Sequence, residues 1–217
     1  MRIRTVNDST TQLTRFGFVN AFLVREEDGL TLVDTTMNAA EKILAAADAP
    51  IRRIALTHGH GDHVGSLDAL KDRLGDEVQV LMPEVDAQIH AGEREKPSGS
   101  WPKLATRPDV RLQPGDRVGS LEVVATPGHT PGHVSFLDTR DGTLIAGDVF
   151  TTFGGVEVSN HFYWRFPLAA MATADKRQDL ESARALRALE PRRLVVGHGA
   201  PVREPVAAMD RAIARAG

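Results

Sequence analysis

The segment Thr57-His58-Gly59-His60-Gly61-Asp62-His63 constrains this chain more than any other stretch, because it places three imidazoles and a carboxylate almost side by side. His58 and His60 are two apart on an extended loop, so both side chains can leave the backbone on the same side. Val64, Leu67, Leu70 and Leu74 then follow a helical spacing that stops at Gly75, so Asp62 and His63 open a helix. Such a strand-to-helix corner can aim four donors at two neighbouring points. Gly59 and Gly61 permit the close backbone approach that this needs.

Three further motifs each follow a strand-like run. Thr126-Pro127-Gly128-His129-Thr130-Pro131-Gly132-His133 follows Leu121–Ala125, Gly147-Asp148 follows Thr143–Ala146, and Gly197-His198-Gly199 follows Leu194–Val196. Glycine beside His or Asp at a strand end marks a displayed donor rather than a core residue. Together the motifs supply what a two-metal site requires. His58, His60 and His129 can hold one ion, Asp62, His63 and His198 the other, and Asp148 can bridge both. Imidazole and carboxylate donors without thiolate suit zinc, two ions per chain, and also iron or manganese.

Composition narrows the alternatives. The chain has 217 residues and no cysteine, so disulfides, iron–sulfur clusters and thiol nucleophiles are excluded. A net charge of −3 with scattered Lys and Arg offers no general attraction to nucleic acid or to an anionic membrane. No apolar window reaches the roughly 20 residues needed to span a bilayer, and no leader-like stretch opens the sequence. A cytoplasmic protein acting on a small molecule, without nucleic-acid or membrane partners, is expected. Its oligomeric state is left open.

A coarse reading places a β-hairpin at Phe18–Val33, helices at 39–47 and 62–74, and strands at 51–56 and 78–82. Residues 92–109, rich in Pro and Gly, read as a long surface loop. Strands recur at 121–125, 134–137, 143–146 and 194–196, and helices at 168–189 and 205–214. On the first of these helices Leu180, Ala183, Leu186 and Ala188 or Leu189 form the inner face. Meanders and β–loop–α units in both halves predict a single α/β domain over residues 1–217. His90 reads as an exposed residue on a short helix after Pro83. Trp101 either covers the site or anchors its loop. The aromatic-rich stretch 150–166 either shapes a substrate pocket or packs beside the long helix, and His161 and Tyr163 are its candidate substrate-binding residues.

H-x-H-x-D-H followed in order by G-H-T-P-G-H, G-D and G-H-G resembles the metallo-β-lactamase superfamily, and the opening hairpin with Leu32-Val33-Asp34-Thr35 is similar to that family's first segment. The resemblance covers essentially the whole chain. It implies an αβ/βα four-layer sandwich of two mixed β-sheets flanked by helices. It also implies a metal-ligand set of His58, His60, Asp62, His63, His129, Asp148 and His198. His133 matches a position that is usually structural. Asp34 matches either a residue that hydrogen-bonds a ligand or a plain surface turn.

Within that superfamily, Asp148 resembles the bridging carboxylate of glyoxalase II-like thioesterases and of lactonases, which true β-lactamases lack. The lactonases usually place Tyr where this chain has Thr151, and glyoxalase II usually adds a helical region after the last ligand. The expected activity is hydrolysis of a carboxylic ester, lactone or thioester by a hydroxide shared between the metals, with Asp62 orienting it and accepting its proton. Other activities of the same fold stay open: a mononuclear iron persulfide dioxygenase, a β-lactamase, or a non-catalytic binding scaffold.

Overall fold

A computed structural model describes all residues from Met1 to Gly217. The chain divides into two compact units, Met1–Glu95 with Ser100–Leu112, and Lys96–Gly99 with Gln113–Gly217.

The first unit is built on one seven-stranded sheet in sequence order: β1 (Arg2–Thr5), β2 (Thr10–Arg15), β3 (Val19–Glu26), β4 (Gly29–Val33), β5 (Ile51–Ala55), β6 (Gln79–Pro83) and β7 (Val110–Leu112). Neighbours from β1 to β4 are antiparallel. From β4 to β7 they are parallel, which requires a crossover between each pair. Helix α1 (Ala40–Ala46) supplies the first crossover, α2 (Gly61–Val64) with α3 (Leu67–Leu74) the second, and α4 (Glu84–Ala91) the third. Leu32, Ile54 and Val80 from the sheet and Ile43, Leu67 and Leu70 from the helices pack into one buried core.

The unbroken helix expected at 62–74 is two helices. Gly65 cannot carry a side chain there, because a Cβ would come 2.5 Å from the Gly61 carbonyl and 3.0 Å from Met37. Next to it the Ser66 hydroxyl accepts from the amide of Ala39. Strands β1 and β2 escape sequence reading because β1 is wholly exposed and β2 is rich in threonine.

The second unit carries a six-stranded sheet of order β15-β14-β11-β10-β9-β8. Its strands are β8 (Arg117–Val118), β9 (Leu121–Ala125), β10 (Val134–Asp138), β11 (Thr143–Ile145), β14 (Arg193–Val195) and β15 (Val202–Arg203). A small hairpin of β12 (Phe150–Thr151) and β13 (Glu157–Val158) lies within the aromatic-rich stretch 150–166. The helix expected at 168–189 is α5 (Leu168–Ala172) followed by α6 (Lys176–Ala188), and α7 (Val206–Ala216) closes the chain.

Asp175 begins α6 by accepting from the amides of Arg177 and Gln178, a cap worth about 1 kcal/mol. Leu180, Ala183 and Leu186 face the core as expected, whereas Ala188 and Leu189 are exposed because the helix ends there.

Strand direction explains where the donors fall. In the first unit β4 and β5 are parallel with Val33 opposite Ala55, so Asp34 and the segment from Leu56 leave the sheet at one edge. In the second, β11 and β14 are parallel with Ile145 opposite Val195, and Asp148 and His198 each follow three residues later. β9 points the same way, being antiparallel to β10, which is antiparallel to β11.

Candidate metal centre

In the first unit the histidines are oriented by a buried carboxylate. Asp34 has φ of 60°, a left-handed conformation that Asp tolerates better than most residues. Its carboxylate accepts from the Thr57 amide at 2.8 Å, the Thr57 hydroxyl at 2.8 Å and His63 Nδ1 at 2.8 Å. It is no surface turn. The single hydroxyl proton of Thr57 goes to Asp34, so His58 Nδ1, 3.0 Å from Thr57 Oγ1, is the donor in that contact. Both His58 and His63 therefore carry their proton on Nδ1. That makes Nε2 the nitrogen that would meet a metal.

The His58, His60 and His63 rings cluster, with centroids 4.9 Å apart for His58 and His60 and 4.2 Å for His58 and His63. Asp62 reaches to 3.7 Å from His63 Nε2 and keeps partial exposure. Helix α4 grips the peptide between the first two histidines: Asp86 accepts from the Gly59 amide at 2.8 Å, and His90 Nε2 donates to the Gly59 carbonyl at 2.9 Å. A Cβ on Gly59 would lie 2.5 Å from Trp101 and 2.7 Å from His90. His90 is thus half-buried and bonded, not the exposed residue expected. Trp101 packs its ring 5.2 Å from His60 and 5.3 Å from His90, so it covers this loop.

In the second unit one carboxylate oxygen faces two imidazoles. Asp148 Oδ2 lies 3.1 Å from His198 Nε2 and 3.4 Å from His129 Nε2. His129 Nδ1 is 3.0 Å from the hydroxyl of Thr173, which gives its proton to the carbonyls of Ala169 and Ser159 and so accepts from the ring. Again Nε2 is the nitrogen that would meet a metal. His133 differs: its Nε2 accepts from the Asp148 amide at 3.0 Å and its Nδ1 contacts Thr126 Oγ1 at 2.8 Å. Both of its nitrogens serve the backbone and its neighbours, as a structural residue's should.

The loop that presents His129 rests on α6. Ala174 and Asp175 donate their amides to the carbonyls of His129 and Gly128, and Ser182 donates to that of Pro127 at 2.7 Å. Buried Asp179 lies under the same loop. Burial, reinforced by the charge of Asp148, pushes its carboxyl well above the usual carboxylate range, and the His129 amide offsets this only in part. Phe166 packs its ring 4.7 Å from His198 and stacks on Phe153. Thr151, where the lactonases carry Tyr, is buried and donates to the His198 carbonyl.

Of the two candidate substrate residues, His161 contacts Asn160 Oδ1 at 3.1 Å and lies 3.6 Å from Glu157, beside the Glu157–Arg215 ion pair. Tyr163 is half-exposed between exposed Phe162 and Trp164, and its carbonyl accepts from the Phe166 amide. Asp86, His90, Thr173 and Asp179 are neighbours of the donors that the motifs do not announce.

The donors fit a metal. They are imidazoles and carboxylates only, and each ring whose Nδ1 is anchored offers Nε2. Residues 14–198 match the profile of the Metallo-beta-lactamase superfamily. The chain belongs to that superfamily. It is 42% identical over 232 residues to the Bacillus subtilis protein YobT, spanning 100% of this chain and 99% of that one. It is 36% identical over 122 residues to a hydroxyacylglutathione hydrolase of Rhodopseudomonas palustris, spanning 53% of this chain and 41% of that enzyme. Among solved structures it is similar to TTHA1623 in a di-iron-bound form, with a TM-score of 0.67, 28% identity and coverage of 91% and 95% of the two chains. Two large mixed sheets with helices are the metallo-β-lactamase fold, and the donors and the family are those of a metallo-hydrolase. No helix is long and apolar enough to cross a membrane.

Proposed function

We propose that this metallo-β-lactamase-superfamily chain hydrolyses a small carboxylic ester, lactone or thioester with two metal ions. The reading assigns His58, His60 and His129 to one ion and Asp62, His63 and His198 to the other, with Asp148 shared. The observation that carries it is Asp148 Oδ2 facing His198 and His129 together, since a carboxylate placed between two imidazoles is the arrangement a bridging ligand needs. When bound, the ions would supply a nucleophilic water at neutral pH and a Lewis acid for the carbonyl.

The chain's residues do the rest. Asp34 and Thr173 hold the tautomers of His63 and His129, so that Nε2 carries the lone pair. The half-exposed Asp62 carboxylate orients the attacking water and accepts its proton. Trp101 and Phe166 keep water off one face of His60 and His198. The similarity to a hydroxyacylglutathione hydrolase favours the thioester among the three bonds, and the di-iron neighbour keeps iron beside zinc as the metal.

Elemental analysis of protein purified without chelator, followed by turnover on matched esters, lactones and thioesters, tests this. About two metals per chain and turnover of an acyl bond are expected. One firmly bound iron without hydrolysis would replace this reading with the mononuclear oxygenase.

A further inference from the structure

Asp179 is a carboxyl the proposed chemistry does not use. It is fully buried in the first turns of α6; no side chain pairs with its carboxylate, and only the His129 amide offsets its burial. Its backbone lies directly against Gly128, where a Cβ would meet the Asp179 nitrogen at 2.2 Å and its Cα at 2.4 Å. The next residue is His129.

Helix placement does not explain the acid. The Asp175 cap starts α6, and Ala174, Asp175 and Ser182 already hold the loop by its carbonyls. A carboxyl buried without any side-chain partner works against the fold. Leucine or asparagine would serve packing better, so the acid is retained for something that packing does not supply. Strong positive charge held at His129 is what would make a buried carboxyl favourable there.

We infer that Asp179 serves the metal centre from beneath the His129 loop, as a positioning residue that raises metal affinity without ligating. This rests on the two-metal reading above. The test uses Asp179→Asn, nearly the same shape without the charge, with Asp179→Ala as a second variant. Zinc affinity is measured by chelator competition, and thermal stability is measured on the metal-stripped proteins.

The expected result has opposite signs. Zinc binds about 10- to 100-fold more weakly to the variants, while the metal-stripped variants melt at or above the temperature of the metal-stripped parent. A merely structural acid would move stability and leave affinity alone. Unchanged affinity in variants of a parent that binds two ions overturns this inference only. Loss of the metal-stripped fold in both variants also overturns it, because the carboxyl is then structural. A parent that binds no zinc or iron takes down the metal centre and this inference with it.

Discussion

Asp34 Oδ2 lies 2.8 Å from His63 Nδ1 and 2.8 Å from the hydroxyl of Thr57, whose own oxygen faces His58 Nδ1. One buried carboxylate therefore fixes the tautomers of two proposed ligands. Asp34→Asn keeps the size but replaces one acceptor oxygen with a donor, so Thr57 and His63 can no longer both donate to it as they do. Chelator competition should show zinc held about 10- to 100-fold more weakly. Affinity equal to the parent's would remove Asp34 from the site's support.

Asp148 and His133 should separate cleanly. Asp148→Ser removes the shared carboxylate, so metal content should fall from about two toward one and turnover by at least about 100-fold. His133→Ala should keep both metals. It leaves the Asp148 amide and the Thr126 hydroxyl without their ring partner, a loss of about 2–6 kcal/mol at 1–3 per buried group. Metal analysis and denaturant unfolding of both variants decide it, and a metal lost from His133→Ala would require redrawing the ligand set.

Gly59→Ala should be poorly tolerated although its chain direction is ordinary. The new methyl has to push aside Trp101 and His90, at about 1–3 kcal/mol of overpacking. With Trp164 replaced by Phe, the remaining fluorescence reports Trp101 and should shift to the red. An unshifted spectrum with parental stability would mean the loop accommodates the methyl elsewhere.

Asp68 ties the long loop to α3 by accepting from the amides of Ala105 and Thr106. Burial pushes its carboxyl up, but those hydrogen bonds and the charge of His90 outweigh it and leave it below the usual range. A carboxyl lowered on folding stabilises above its unfolded value of about 4 and ceases to do so as acid protonates it. The parent should thus exceed Asp68→Asn in stability near neutrality, and the gap should close as pH falls through about 4. A gap independent of pH in denaturant unfolding would show that the tether does not depend on charge.

The motifs are legible because donors displayed from strand ends need a tight backbone, and a glycine adjoins every one of them except His63. That is why residues 58, 60, 62, 63, 129, 148 and 198 stand out without any structure. Their supports do not. His90, Asp86 and Asp179 act by facing a loop far away in sequence, and on their own helices they look like ordinary polar residues. The break between α5 and α6 was hidden for a similar reason. Leu168 through Leu189 keeps a helical apolar spacing, and only the side chain of Asp175 turning back onto the amides of Arg177 and Gln178 reveals the restart. His90 looks exposed on its own helix, but its partner is Gly59.

The hydroxyl of Thr173 sits in that break with three claims on it: the ring of His129, the carbonyl of Ser159 and the carbonyl of Ala169. Between the two carbonyls runs the segment that exposes Phe162, Trp164 and Leu168 to solvent. That one oxygen therefore ties the His129 ring to both ends of the segment. The imidazole and the exposed segment share a single pin, so neither is anchored independently of the other.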